Sequence, residues 1–500
     1  MSQTHTAVEL RRLLAGTPYL GYTYAYPHKT AYRSLDPTSR LADVWRDESR
    51  DSLTLYLHVP FCEMRCGFCN LFTSVERDAA LHASYLAALS RQAQAAREAV
   101  GPVRVAQFAV GGGTPTLLDP ASLARLFELA REWFDVEPSC VPTSVETSPA
   151  TALADRLSVL RDRGVERVSL GVQSFVEAEC AAAGRPQSTA DVLAALDRLR
   201  EFRFPVLNVD LMYGLPGQTR STWEQTLSTA LCYRPEELYL YPLYVRPLTG
   251  LDRRGVAAWD ADRLAFYRHG RDLLRDAGYI QLSMRRFRLS PGAARLMNVC
   301  RSGAPAPPPG SPEFRPDGTA RADGLSDQSA SPSSAPARPL PASSAAPVAV
   351  FRDYCCQEDG MLGLGCGARS YTRTLHYSAE YAVGRTGVRD ILAHYLDRTA
   401  TDFAAADYGF RLDAEEQRRR YVLKSLLHAD GLNPAAYSAW CGAGVCEDFP
   451  VLHDLPEFGL AVWDGGSLRL TDAGLERSDV LGPWFYSTRV RALSTSFPLR

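Results

Sequence analysis

The sequence predicts an α/β protein: parallel strands in a closed or partly closed barrel, preceded by an ordered leader and followed by a small helix-and-hairpin module. Two patterns predict it. Between residue 51 and about residue 290, short apolar strand-like runs alternate with longer helical stretches, as repeated βα units with parallel pairing require. From about residue 410 onward, one amphipathic helix precedes two short runs flanking Gly465-Gly466, a hairpin turn, and then a closing helix.

Residues 1–50 form the leader, whose YLGYTYAYPHKTAYR is aromatic and polar and reads as ordered chain. The barrel region, 51–290, offers SLTLYLHV, VAQFAV, PTSVETS, RVSLGV, VLNVDLMY and ELYLYPL as strands. Helical stretches such as AALHASYLAALSRQAQAAREAV and ASLARLFELAREWF separate them, and Pro60 ends the first strand by removing a ladder donor. Residues 291–349 are dominated by Pro, Ser and Ala and are expected to be a disordered insertion, because they carry too little large apolar surface to offset the entropy of ordering. Residues 350–408 are expected to be a glycine-rich return segment that completes the same domain. Residues 409–500 are expected to be a winged-helix-like capping domain, with no dense basic helix to favour nucleic acid.

The 500 residues are 46% hydrophobic and 22% charged, the composition of a soluble globular enzyme. Lys plus Arg (55) nearly balances Asp plus Glu (57), which gives no global field to attract nucleic acid or an anionic membrane. No run is apolar enough for a secretory signal or a transmembrane helix, so a cytoplasmic location is expected. Most of the 12 cysteines are scattered and read as small buried hydrophobes in a reducing compartment.

Three cysteines are not scattered. HVPFCEMRCGFCN places Cys62, Cys66 and Cys69 in a C-x-x-x-C-x-x-C pattern directly after the first barrel strand. A structural zinc site wants four ligands, usually in two pairs, and a disulfide framework wants an even count in a short secreted chain. The remaining option is an iron–sulfur cluster with one iron left open. Strand C-terminal ends are where βα barrels carry their active sites. Polar residues recur there: Thr114 after the Gly111, Gly112, Gly113 run, then Glu146, Gln173, Arg185 and Asp210 in consecutive βα units.

The loop after YLHVPFC resembles that of the radical S-adenosylmethionine (SAM) enzymes. GGGTPT (111–116), SVETSP (144–149), RVSLGVQSF (167–175), GRPQ (184–187), NVDLMYGLPGQT (208–219) and the C-terminal module extend the resemblance to the oxygen-independent coproporphyrinogen III oxidase-like family. It covers roughly residues 50–290 and 350–490. The resemblance implies a partial (β/α)6 barrel, a [4Fe–4S] cluster held by Cys62, Cys66 and Cys69, and SAM on the open iron, cleaved to a 5′-deoxyadenosyl radical. By motif match it implies SAM contacts at Tyr56, Phe68, Gly112, Gly113, Thr114, Glu146, Gln173, Arg185, Asp210 and Leu243. It also implies a small-molecule substrate of tetrapyrrole type and an electron donor such as flavodoxin or ferredoxin.

Within that family the reaction stays open. The decarboxylases carry a further cysteine shortly after the third, whereas Cys69 is followed by Asn70-Leu71-Phe72-Thr73, as in the haem-chaperone and haem-degrading branches. The leader YTYAYPHKTAYR resembles the decarboxylases, and a related methylating enzyme that engages a second SAM is a third alternative. In the return segment, His376, Tyr371 and Tyr377 are either cavity walls or ordinary half-buried residues. Cys355, Cys356 and Cys366 are open to three readings, a hydrogen-atom source, a second metal ligand or inert thiols, of which the last is favoured, and His28 and Lys29 are candidates for contact with an acidic substrate.

Overall fold

In the computed structural model, residues 6–256, 260–293 and 360–499 are described, and they belong to one compact unit. The insertion at 291–349 falls almost wholly outside the described residues, as do Cys300, Cys355 and Cys356.

A single 13-stranded sheet organises the chain. Its edge strand β1 (Arg33–Arg40) comes from the leader. The barrel strands are β2 (Leu53–Val59), β3 (Val105–Gly112), β4 (Thr143–Thr147), β5 (Arg167–Gln173), β6 (Val206–Tyr213) and β7 (Glu237–Pro242). They are mutually parallel and lie side by side in chain order. Beyond β7, β8 (Tyr279–Gln281) and β9 (Arg286–Leu289) finish that edge as an antiparallel pair. On the other side, β10 (Gly360–Leu364) runs parallel to β2, and β11 (Arg369–Tyr371), β12 (Leu375–Ser378) and β13 (Ala405–Arg411) continue antiparallel to β1. The barrel is therefore partial. β1 and β8 are the two ends of an open sheet.

Period-two alternation decides what faces the interior. In β2, Leu53, Leu55, Leu57 and Val59 are buried in the main core, leaving Thr54, Tyr56 and His58 for the inner face. In β6, Leu207, Val209 and Leu211 join the same core, leaving Asn208, Asp210 and Met212 inside. The crossover helices pack on the outside and begin at side-chain caps. Asp78 accepts from the amide of Ala80 ahead of Ala79–Val100, and Asp119 from that of Ser122, with Pro120 following it.

A buried charge cluster closes the N-terminal end of the barrel. Glu237, 2% exposed, accepts from Arg167 Nε at 2.9 Å and from Arg286 and Arg288. Burial raises its carboxyl pKa, but Arg167 and then Arg286 lower it further, to about 2 against an ordinary 4.5. A folded-state value below the unfolded one means the stabilisation is present above the unfolded pKa and fades as pH falls toward the folded one, about 3 kcal/mol in all. Glu237→Gln is expected to cost about 3–5 kcal/mol at pH 7 by taking away the shared carboxylate. It should also flatten the acid limb, read from denaturant unfolding at neutral and acidic pH.

The C-terminal region contains the helix Ala414–Leu426 and a hairpin, β14 (Ala461–Asp464) and β15 (Ser467–Leu470). Gly465 and Gly466 turn the hairpin at φ 56° and 81°, a backbone that glycine adopts without strain. The leader does not stand apart from this region. Leu10, Tyr26, Ala31 and Tyr32 share one core with Leu423, Leu426, Trp484 and Tyr486. No described helix is long and apolar enough to cross a membrane.

Candidate active site

The three clustered cysteines sit on one loop at the C-terminal end of β2. Backbone bonds set the loop: Cys62 N–H to Ser74 O at 3.0 Å, Ser74 N–H to Pro60 O at 2.7 Å, and Cys69 N–H to Cys66 O at 3.1 Å. Two neighbouring turns clamp its middle. Gly67 N–H donates to Gly184 O at 3.1 Å, and Gly67 O accepts from Leu251 N–H at 2.8 Å. All three cysteines are half-buried and unbridged. Burial pushes the Cys62 thiol up to about 12, and burial also raises Cys66, opposed by Arg185.

Each sulfur has a polar neighbour: Thr114 Oγ1 at 3.6 Å from Cys62, Arg185 Nη1 at 3.2 Å from Cys66, and Thr73 Oγ1 at 3.7 Å from Cys69. Among the described residues, no three His, Cys, Asp or Glu gather about a point suited to one metal ion. Thiolates that ligate separate irons of a cluster have no need to converge so closely. A soft all-thiolate set, on a loop that glycines let close tightly, fits an iron–sulfur cluster.

The glycine run packs against this loop. A Cβ on Gly113 would lie 2.4 Å from Phe61 O and 3.0 Å from Cys62 Sγ, and one on Gly112 would lie 2.5 Å from the His58 ring. The amides of Gly112, Gly113 and Thr114 donate to Glu146 Oε2 (3.0 Å), Val59 O (2.7 Å) and Phe61 O (2.7 Å). The close approach these glycines allow is thus to the protein itself, and the amide donors expected to face a ligand are already engaged.

Glu146 projects from β4 into the barrel interior and lines a cavity of about 260 Å³ with Tyr56, His58, Gly112, Lys29 and Arg369. The side chain is open to the cavity, yet desolvation by the surrounding barrel raises its pKa against the lowering effect of the Gly112 amide. Gln173 ends β5 at φ 71°, a left-handed backbone that a side chain adopts only at a cost of about 1 kcal/mol, next to a register shift in the strand. Asp210 accepts from Asn208 Nδ2 at 2.8 Å and Ser169 Oγ at 3.4 Å, the partners an inward carboxylate needs.

Two expected contacts are arranged otherwise. Arg185 directs its fork to Cys66 Sγ, to Gly171 O at 2.8 Å and to Gln187 Oε1 at 3.1 Å, so it meets a sulfur and not a carboxylate. Leu243 is 1% exposed and packs with Met212, Leu215 and Leu251 beside Phe68; its amide bonds Tyr213 O and its carbonyl accepts from Arg263.

Sequence reasoning passed over His58. Its Nε2–H donates to the Phe72 carbonyl at 3.0 Å, since a carbonyl only accepts, so Nδ1 carries the lone pair and accepts a hydrogen bond from the Tyr56 hydroxyl at 3.2 Å. Burial keeps the ring neutral, lowering its pKa to about 4. Alternation with Tyr56 in LTLYLHV was the available signal. Tyr377 lies on the opposite sheet face from Tyr371 and His376, accepting from Trp45 Nε1 at 2.9 Å. Cys366 is fully buried in the main core.

A family model described as the radical SAM superfamily matches residues 56–230. An oxygen-independent coproporphyrinogen III oxidase of Bradyrhizobium diazoefficiens is 35% identical over 223 residues, 43% of this chain and 49% of that protein. The heme chaperone HemW of Bacillus subtilis is 33% identical over 194 residues, 39% of this chain and 51% of that protein. The chain thus spans about half the length of the curated relatives it matches. Among solved structures, the coproporphyrinogen III oxidase HemN of Escherichia coli superposes with a TM-score of 0.68 over 93% of this chain and 96% of that one, at 23% identity, a likeness of fold.

Proposed function

We propose that this chain, whose residues 56–230 match the radical SAM superfamily and which is similar to oxygen-independent coproporphyrinogen III oxidase, is an enzyme using SAM and a [4Fe–4S] cluster to abstract hydrogen from an organic substrate. Names among its relatives favour a tetrapyrrole. The observation that carries the reading is the loop of Cys62, Cys66 and Cys69 beside Glu146 and the glycine run at one end of the barrel. When bound, the cluster and SAM supply one electron and a 5′-deoxyadenosyl radical.

The chain's own groups have separable roles. Cys62, Cys66 and Cys69 hold the iron. With the amides of Gly112, Gly113 and Thr114 engaged internally, this loop offers carbonyl acceptors and the Thr114 hydroxyl, which suits an ammonium group. Glu146 keeps Oε1 to accept from ribose hydroxyls, and the Tyr56 oxygen, whose O–H donates to His58 Nδ1, keeps lone pairs that accept as well. Gln173 at the end of β5, Asp210 within β6 and Phe68 on the cysteine loop would complete the cofactor set. Arg185 tunes the cluster through its N–H to the Cys66 sulfur. Hydrogen bonds to ligand sulfur stabilise the added electron, so Arg185→Met should lower the cluster's reduction potential while leaving the brown colour, measured by redox titration followed by electron paramagnetic resonance.

The test is anaerobic reconstitution with iron and sulfide, then reduction. A reduced-cluster spin signal that shifts on adding SAM, with 5′-deoxyadenosine formed on adding a tetrapyrrole, is the expected result. Absence of the signal in folded protein would overturn the reading. The absence of a further cysteine just after Cys69 favours a second reading, a haem-delivering protein of the same family. That reading requires stoichiometric haem binding without substrate turnover.

A further inference from the structure

The leader sends one cation to the cysteine loop. Lys29 opens a single helical turn, Lys29–Ala31, capped by the His28 ring, which accepts from the Thr30 amide. Tyr26, Ala31 and Tyr32 on either side are buried in the C-terminal core, so the turn is anchored at both ends. From there Lys29 Nζ donates to the Asn70 carbonyl at 3.1 Å and stands 3.8 Å from the centroid of the Tyr381 ring. The Tyr381 hydroxyl donates to the same carbonyl at 2.6 Å. Asn70 directly follows Cys69, so two donors from distant parts of the chain converge on one oxygen beside a cysteine of the cluster loop. Farther along, Phe72 O and Thr73 O accept from His58 and Arg65, and side chains hold this whole leg of the loop.

Lys29 is 9% exposed and has no ion pair among the described residues. A buried ammonium without a counter-ion is costly. Glu146 lines the same cavity, but its Oε2 accepts from the Gly112 amide and it forms no ion pair with Lys29. Burial depresses the Lys29 pKa most, and Arg369 and Arg246 depress it further; the one charge that favours the ammonium is that of Cys69. The anion this cation is placed to meet is therefore the thiolate end of the loop.

We propose that Lys29 is the counter-ion of the cluster, a cation that the leader holds at the Cys69 end of the loop and that favours the reduced state. The inference rests on the reading of Cys62, Cys66 and Cys69 as cluster ligands, and it adds a residue that sets the cluster's potential. One electron from an external reductant adds a negative charge to an already anionic assembly, and no bond to Lys29 forms or breaks. A fixed cation in low-dielectric surroundings lowers the free energy of the reduced form more than that of the oxidised form. Arg185 bonds the Cys66 sulfur directly, whereas Lys29 bonds the Asn70 carbonyl and acts by its charge.

Anaerobic redox titration of the reconstituted full chain with dithionite, followed by electron paramagnetic resonance, tests this without substrate or turnover. At a fixed ambient potential, Lys29→Met should lower the ratio of reduced to oxidised cluster by about tenfold. Lys29→Arg, which keeps the charge, should restore most of that ratio. Tyr381→Phe removes only a neutral donor from Asn70 O and should leave the ratio near that of the unsubstituted chain. If Lys29→Met fails to fold, Lys29→Gln, which keeps an N–H donor for Asn70 O, carries the same expectation. An unchanged ratio in the neutral variants, or an equal fall in Lys29→Arg, would overturn the proposal. An unsubstituted chain that forms no reducible cluster would overturn the cluster reading itself. A cluster whose spin signal shifts with SAM but whose potential ignores Lys29 would cost this inference alone.

Discussion

Alanine at Cys62, Cys66 or Cys69 is expected to abolish the iron–sulfur absorption and 5′-deoxyadenosine formation while leaving the chain folded. The loop's shape does not depend on its sulfurs. Its bonds run from Cys62 N–H to Ser74 O, from Ser74 N–H to Pro60 O, and through Gly67 to Gly184 and Leu251, all backbone to backbone. Each Sγ meets one side-chain group, at 3.2 Å or more, and each residue is half-buried. Removing a sulfur therefore costs the metal-free fold about 1 kcal/mol, the loss of one partly buried heavy atom. The cluster, by contrast, loses one of three protein ligands. Near-unchanged melting of metal-free variants, together with loss of colour and of bound iron, is the expected pair of results. Full iron content in any one variant would mean that the cluster is held elsewhere.

The barrel strands were legible because inner and outer faces differ in chemistry. In VLNVDLMY the alternation of Asn208 and Asp210 with Leu207, Val209 and Leu211 states the register outright. Glu146 and Gln173 were legible as site candidates because they recur at strand ends in consecutive βα units. The sheet extension was not. β11 has only three residues, and β1, RSLDPTSR, pairs with β13 hundreds of positions along the chain, which no local periodicity records. The leader's place in the C-terminal core was hidden for the same reason; Tyr26 meets Glu416 across the length of the chain. GRPQ showed an arginine but not its direction, since what it meets depends on how the turn bearing Gly184 sits on the turn bearing Gly67. Leu243 was legible as a motif position, but its burial is decided by packing alone.

Gly113→Ala is expected to be the most damaging single-methyl addition in this site. The obstacle is backbone: the new Cβ would stand 2.4 Å from Phe61 O and 2.9 Å from Phe61 C, with Cys62 Sγ at 3.0 Å. Gly113 cannot retreat freely, because its amide bonds Val59 O at 2.7 Å and the next amide bonds Phe61 O. Relief must come from moving the segment that carries Cys62, so overpacking of about 1–3 kcal/mol is coupled to loss of cluster geometry. Gly217→Ala separates strain from collision. That glycine has φ 81° with nothing within 4 Å of an added Cβ, so it should cost about 1 kcal/mol and leave iron content intact. Iron and sulfide content after anaerobic reconstitution, set beside denaturant unfolding, reads both effects. Should Gly113→Ala take up a full complement of iron, the contact between the glycine run and the Cys62 segment does not govern the site.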